Sequence, residues 1–215
     1  MKELYDEINY HLLNDEKPST YMNKILDEGK LKEYPFNIIG DLKNIPQNLK
    51  YHPEGNVWNH LMIVLDEGAK NRKYSDYKRE FMMSLLLHDI GKTTTTKMRR
   101  GKWTSYDHDT VGADLSKEFL NNFGESEEFI NMVSSEVRYH MHSLFVANNL
   151  PFADIEGMIK NTSLKELTLV TLSDRMGRAE MDEEKIKETK ENIQKFVDIV
   201  SEKYNIKKPE IPTLK

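Results

Sequence analysis

The chain has 215 residues, 38% hydrophobic and 31% charged, with a formal net charge of −5. That length suits one domain with extensions and can bury a core without covalent staples. Cysteine is absent and the balance is acidic, which excludes disulfides and thiolate metal sites and argues against broad nonspecific nucleic-acid binding.

The opening segment MKELYDEINY is too charged for a signal peptide, and no apolar run approaches the ~18 residues of a membrane span. A soluble cytoplasmic protein is expected. Leu4, Ile8, Leu12 and Leu13 fall near helical spacing, which predicts a first helix over Glu3–Leu13. EKPSTYMNKILDEGK places Pro and Ser before a second short helix and Gly29 after it. YPFNIIGDLKNIPQNLKYHPEGN carries three of the seven prolines and reads as an irregular connection. Helices are then predicted over Val57–Lys70 and Asp76–Ile90, the second nearly apolar all round toward its end and stopped by Gly91. TTTTKMRRGKWTSYD is the one β-like stretch, with Arg-Arg-Gly-Lys fit to turn a small hairpin or loop. Further helices are predicted over Asp109–Phe123, Ser126–His142, Leu164–Arg178 and Glu183–Tyr204, the last amphipathic through Ile186, Ile193, Phe196, Val197 and Val200. The tail after Lys207 has two prolines and is expected to lie loose. The fold class is all-α: N-terminal helices over 1–50 packed on a core domain over 51–180, a C-terminal amphipathic helix over 181–206, and the tail 207–215.

Six of the seven histidines lie between positions 52 and 142. A single histidine is most often a buried, hydrogen-bonded core residue. Helical spacing changes that reading. His60 follows Val57 by three residues and precedes Val64 by four, so it shares their stripe. His88 follows Leu85 by three, and Asp89 follows it by four. His108 precedes Val111 by three, His140 follows Val137 by three, and Asp174 follows Val170 by four. Buried carboxylates without partners cost several kcal/mol or take up a proton, and a shared divalent cation removes that conflict. His142 leaves its helix on another face from His140, and His52 sits in the proline-rich connection, where it either lines a pocket or is an ordinary loop residue.

The order His60, His88-Asp89, Asp174 resembles the HD superfamily of metal-dependent phosphohydrolases, and HDIGK resembles its second motif. HPEGNVWNH, LLLHDIGKTTTT, YDHDTVGADLSKEFL, VRYHMHS and LSDRMGR are similar, in order, to blocks of the HD domain of bacterial tRNA nucleotidyltransferases, the CCA-adding enzymes. KPSTYMNKILDEGKL is similar to the helices leading into it. Nothing resembles the nucleotidyltransferase head, so CCA addition is not expected. The resemblance implies a helical bundle around a metal site. His60, His88, Asp89 and Asp174 would hold one divalent ion, and His108 and His140 would help hold a second or contact substrate. It implies hydrolysis of a phosphomonoester or a (cyclic) phosphodiester of a nucleotide or RNA end. The alternatives are a deoxynucleotide hydrolase of the wider superfamily and a non-catalytic nucleotide- or RNA-binding module supporting a partner enzyme.

Imidazole and carboxylate ligands without sulfur suit Mn, Fe, Co, Ni or Zn, whereas Mg prefers all-oxygen shells. With two ions, Asp89 can bridge them through its two oxygens. Lys92, three residues after Asp89, is a candidate for phosphate binding and catalysis, or else a helix-end lysine. Arg178, one turn beyond Asp174, is the stronger candidate phosphate contact; Arg175 points about 100° away and is expected to be more peripheral. Asp109 is a candidate proton acceptor or support for His108. The loop KMRRGKW sets Lys97, Arg99, Arg100 and Lys102 beside Trp103, either as a solvated loop or as a seat for a nucleotide or single-stranded RNA end.

Overall fold

The computed structural model describes residues 1–214. Helices α1 (Lys2–Asn14) and α2 (Pro18–Asp27) come first, with Pro18 in the first turn, where a missing N–H is harmless. The proline-rich connection holds a short turn, α3 (Asn37–Gly40), followed by a 3-10 turn over Asp41–Asn44. Then come α4 (Val57–Asn71), α5 (Lys78–Leu87) and the short α6 (Lys92–Thr95). Strands β1 (Lys97–Arg99) and β2 (Lys102–Thr104) pair antiparallel. Arg100 and Gly101 between them both have positive φ, the turn whose twist matches paired strands. The chain continues through α7 (His108–Asn121), α8 (Glu127–Tyr139), α9 (His142–Ala147), α10 (Ile155–Asn161), α11 (Leu164–Met176) and α12 (Glu183–Tyr204). The protein is mostly helical with one small hairpin, as its patterning predicts. No described helix is long and apolar enough to cross a membrane.

Side-chain caps fix the starts of three of the long helices. Asn56 accepts from Asn59 N at α4, Ser126 from Phe129 N at α8 and Asp182 from Lys185 N at α12. The main core joins Tyr5, Ile8 and Leu12 of α1 and Met22 and Ile25 of α2 to Leu61 and Leu65 of α4 and Phe81 to Leu87 of α5. A second cluster lies under α9, α10 and α12, around Tyr139, Met158, Phe196 and Val200. Helix α11 serves both, with Leu164 and Leu167 in the second cluster and Leu169, Val170 and Leu172 in the first. It is buried on nearly every side; Thr168 and Ser173 return their hydroxyls to its own turns, Ser173 Oγ donating to Leu169 O at 2.9 Å, while Thr171 donates to His140 O. The polar end of α11 is thereby fixed at the middle of the molecule.

Four expectations change. The helix predicted over Ser126–His142 breaks at His140, and α9 restarts at His142. Helices α9 and α10 lie in a stretch the periodicity left unassigned, because each is too short to build a recognisable stripe. The tail is packed up to Leu214: Ile211 and Leu214 are buried in the main core, and Thr213 Oγ1 donates to Asn71 Oδ1 at 2.9 Å. The last long helix stops at a left-handed Asn205, and the two prolines that follow do not prevent burial. Gly91 does not stop α5 by a left-handed turn, since its φ is −63°. It supplies space: a Cβ there would stand 2.1 Å from His108 O and 2.6 Å from Gly112 N.

Gly91→Ala is therefore expected to cost about 3 kcal/mol in urea unfolding, as overpacking against backbone does. A second prediction concerns Glu136 of α8. Burial first, and the nearby Glu166 charge after it, raise its pKa to about 8 against an opposing hydrogen bond from Ser84. The folded state keeps a proton that the unfolded chain loses from about pH 4.5, so this residue's contribution declines as pH rises until about 8. Glu136→Gln should gain stability relative to wild type across that window and level off above it. A pH-independent difference in urea unfolding would show that the carboxyl is not protonated.

Candidate metal centre

Helices α5 and α8 end in the same way. His88 is the residue that closes α5, and its Nδ1 lies 2.7 Å from Leu85 O; His140 closes α8, with Nδ1 2.6 Å from Val137 O. Each imidazole caps a carbonyl that the last helical turn leaves without a partner. His108, at the start of α7, repeats the contact with Ser105 O at 2.8 Å. A carbonyl only accepts, so all three rings carry their hydrogen on Nδ1 and leave a bare lone pair on Nε2. The negative ends of the α5 and α8 dipoles face the same centre and favour a cation there.

The lone pairs converge. His108 Nε2 stands 3.3 Å from His140 Nε2, and His88 Nε2 stands 3.3 Å from Asp89 Oδ2. His88 Nε2 is buried and has no hydrogen-bond partner. Two lone pairs facing one another, and a lone pair facing a carboxylate, repel unless a cation lies between them. His60, His88 and Asp174 bring ligand atoms within 4.8 Å of one another, and so do Asp89, His108 and His140. Asp89 faces both groups: Oδ2 lies 3.3 Å from His88, and Oδ1 lies 3.5 Å from His108 Nε2. Neutral imidazoles and ionised carboxylates are the donor set a divalent transition ion takes.

The protonation states suit that set. Burial works to raise the pKa values of Asp89 and Asp174. Lys92 and His88 nonetheless hold Asp89 well below the carboxylate range, and His60 does the same for Asp174. Burial lowers His108 to about 4 and lowers His140 as well, so both are neutral donors. His60 differs. Its Nε2 lies 3.0 Å from Asp174 Oδ1 and its Nδ1 3.1 Å from Glu54 Oε1; against the opposing effect of burial, these acids raise it to about 9. An arriving ion must displace the proton facing Asp174.

Glu54 went unnoticed in the sequence. It accepts from His52 Nδ1 at 2.9 Å and from Ala179 N at 3.4 Å, and so stands behind His60 as an orienting carboxylate. It lies in the proline-rich connection, where no periodicity connects it to His60. Backbone contacts close that loop: Gln47 N donates to Gly55 O at 3.0 Å and Val57 N to Ile45 O at 3.0 Å. Gln47 was likewise missed. Lys92 Nζ donates to Gln47 Oε1 and to Asp89 Oδ2, both at 2.8 Å.

A cavity of about 480 Å³ opens over the centre. Asp89, His108, His140 and Asp174 form part of its wall, and His52, Lys92, Arg175 and Arg178 also line it. Arg175 is thus in the cavity, not peripheral to it. Tyr51, Trp103, Met141 and Leu144 supply apolar surface. Two candidates fall elsewhere. Asp109 is no part of this lining; its Oδ2 accepts from Arg138 Nη1 at 2.6 Å, because one helical step from His108 turns it away. His142 accepts from Asp154 N through Nε2 at 3.1 Å and belongs to the second core, beside Tyr139.

A helical bundle whose buried histidines and aspartates meet at helix ends is consistent with a metal-dependent phosphohydrolase. The chain belongs to the HD domain family, which matches residues 57–182. It is 27% identical over 179 residues to the multifunctional CCA protein of Methylococcus capsulatus, covering 80% of this chain and 40% of that protein. It is 36% identical over 128 residues to that of Burkholderia multivorans, and 25% identical over 130 residues to that of Hahella chejuensis. Each of these two matches covers 60% of this chain and 29% of the relative. The likeness is distant and lies in the HD region; the chain spans less than half the length of these relatives.

Metal affinity should climb as pH rises toward 9, since His60 must give up its proton; His108, held down to about 4, adds no such dependence above that pH, and burial keeps His140 low as well. Calorimetric metal titrations at pH 6.5 and 8.5 measure this. Asp89→Ala should remove all tightly held metal by elemental analysis, and His140→Ala only part of it. Equal metal content in the two variants would show that Asp89 does not serve both groups.

Proposed function

We propose that the chain hydrolyses a phosphomonoester or cyclic phosphodiester of a nucleotide or RNA end. In this reading His60, His88, Asp89 and Asp174 hold one divalent transition ion, and Asp89, His108 and His140 a second. The observation that carries it is the pair of inward-facing ligand groups, with Asp89 of one also 3.3 Å from His88 of the other, at the wall of a cationic, partly aromatic cavity. Bound divalent ions supply Lewis acidity toward phosphoryl oxygens and acidify water toward a pKa of about 7. Mn, Fe, Co, Ni or Zn suits the imidazole-rich set better than Mg.

The chain's own residues then do three things. Lys92, held by Gln47, keeps Asp89 ionised and places an ammonium beside the ligand groups, where an incoming phosphate completes its contacts. Arg178, whose Nε is buried without a partner, lines the same cavity and offers its guanidinium to an anionic group of the substrate. His52, fixed by Glu54, lines the same wall with its other nitrogen free for substrate. Trp103 and Tyr51 give a base or ribose apolar surface, which favours a nucleotide over inorganic phosphate. Asp109 acts, if at all, through Arg138 and not on substrate.

Protein reconstituted with Mn, Co or Ni is expected to cleave bis(p-nitrophenyl) phosphate, a nucleoside 2′,3′-cyclic phosphate or a nucleoside monophosphate. Asp89→Asn should lower kcat/KM at least about 10³-fold. Absence of cleavage with every ion, together with nucleotide binding unchanged by Asp89→Asn, would instead identify a binding module.

A further inference from the structure

Two guanidinium groups in the cavity have no hydrogen-bonded partner, although the Asp174 carboxylate acts on Arg175 from a distance. Arg175 and Arg178 both line it, and neither forms a hydrogen bond or ion pair with any described residue. The other surface and buried arginines with structural roles are committed. Arg72 donates to Leu12 O and Asp15 O, Arg79 pairs with Glu125, and Arg138 pairs with Asp109. A half-buried guanidinium has five N–H donors to satisfy, so two of them unpaired on one wall cost free energy unless an anion arrives.

Their number exceeds what one phosphate needs. The ligand groups and Lys92 already surround Asp89, where the reacting phosphate would sit. Arg175 also faces a second, smaller recess of about 70 Å³ between α9 and α12, which shares Leu144 and Arg175 with the main cavity. Ser143, Asn148, Thr189 and Asn192 line that recess and give it hydroxyl and amide groups. The positive side chains thus extend along the α11 end, from the metal ligands toward a polar recess.

We infer that Arg175 and Arg178 form a subsite for a second anionic group, so that the preferred ligand is a nucleotide carrying two separate phosphates. One would sit over the metal ligands and the other on the arginine wall. This deepens the hydrolytic reading by naming its substrate class, but the subsite itself is a statement about binding.

The test compares binding of adenosine 3′,5′-bisphosphate, adenosine 3′-monophosphate and adenosine 5′-monophosphate to the metal-loaded full chain. Fluorescence reports it, since Trp103 lines the cavity. The bisphosphate should bind about tenfold more tightly than either monophosphate, the scale of one charge-assisted contact. Arg175→Gln and Arg178→Gln should each shrink that ratio while monophosphate binding changes less, and Arg175→Lys should retain part of it. Melting curves for each variant establish that it is folded. Equal affinity for the three ligands overturns the inference. So does a preference unchanged in both glutamine variants, which would mean that the second phosphate meets the metal instead. A protein that cleaves none of these esters yet keeps an arginine-dependent preference would sink the hydrolytic reading and leave the subsite standing.

Discussion

Three imidazoles turned inward by their own helices set the constraint on which the centre depends. His88, His108 and His140 each give their Nδ1 hydrogen to a carbonyl three residues back, so each presents an unshared pair to the same buried space. Asp89 and Asp174 add ionised oxygens to it. Without positive charge such a space is strongly repulsive. The protein meets part of that demand with Lys92 and protonated His60, and the donor set suits a bound cation for the remainder.

The rest of the fold holds those groups in register. Helix α11, buried nearly all round, delivers Asp174 to the interior and carries Arg175 and Arg178 past it. Helix α4 brings His60 from the opposite side, and Glu54, in the loop before it, reaches both His60 and the backbone after α11. Gly91 lets the turn after Asp89 lie against the start of α7, which brings Asp89 and His108 together. These contacts are dense and mostly apolar, so the ligand groups are preorganised by the core.

Much of this was legible from residue order. The helix-period placement of His60, His88, Asp89, His140 and Asp174 follows from one-dimensional spacing, because a helix converts spacing into direction. The same argument turned His142 away from His140, although the helix in fact breaks between them, and it was not applied to Asp109, which lies one step from His108 and pairs with Arg138. It failed where the backbone is irregular. Glu54 and Gln47 reach the centre through a loop closed by its own backbone hydrogen bonds, and loop spacing carries no direction. Arg175 was expected to turn aside by about 100°, yet at the end of a helix a long side chain covers that angle easily.

The sequence by itself determined the class of helices, the absence of thiolates, the order of the ligand motifs and the family likeness they carry, since all of these are written in composition and local period. Tertiary structure alone decided that Asp89 faces two ligand groups at once, that Glu54 stands behind His60, that the end of the chain is packed, and that two arginines share one wall without a hydrogen-bonded partner. The physical reason is reach. Local spacing fixes which way a side chain leaves its own helix, but the sharing of a charge depends on distances between elements that only the folded core sets.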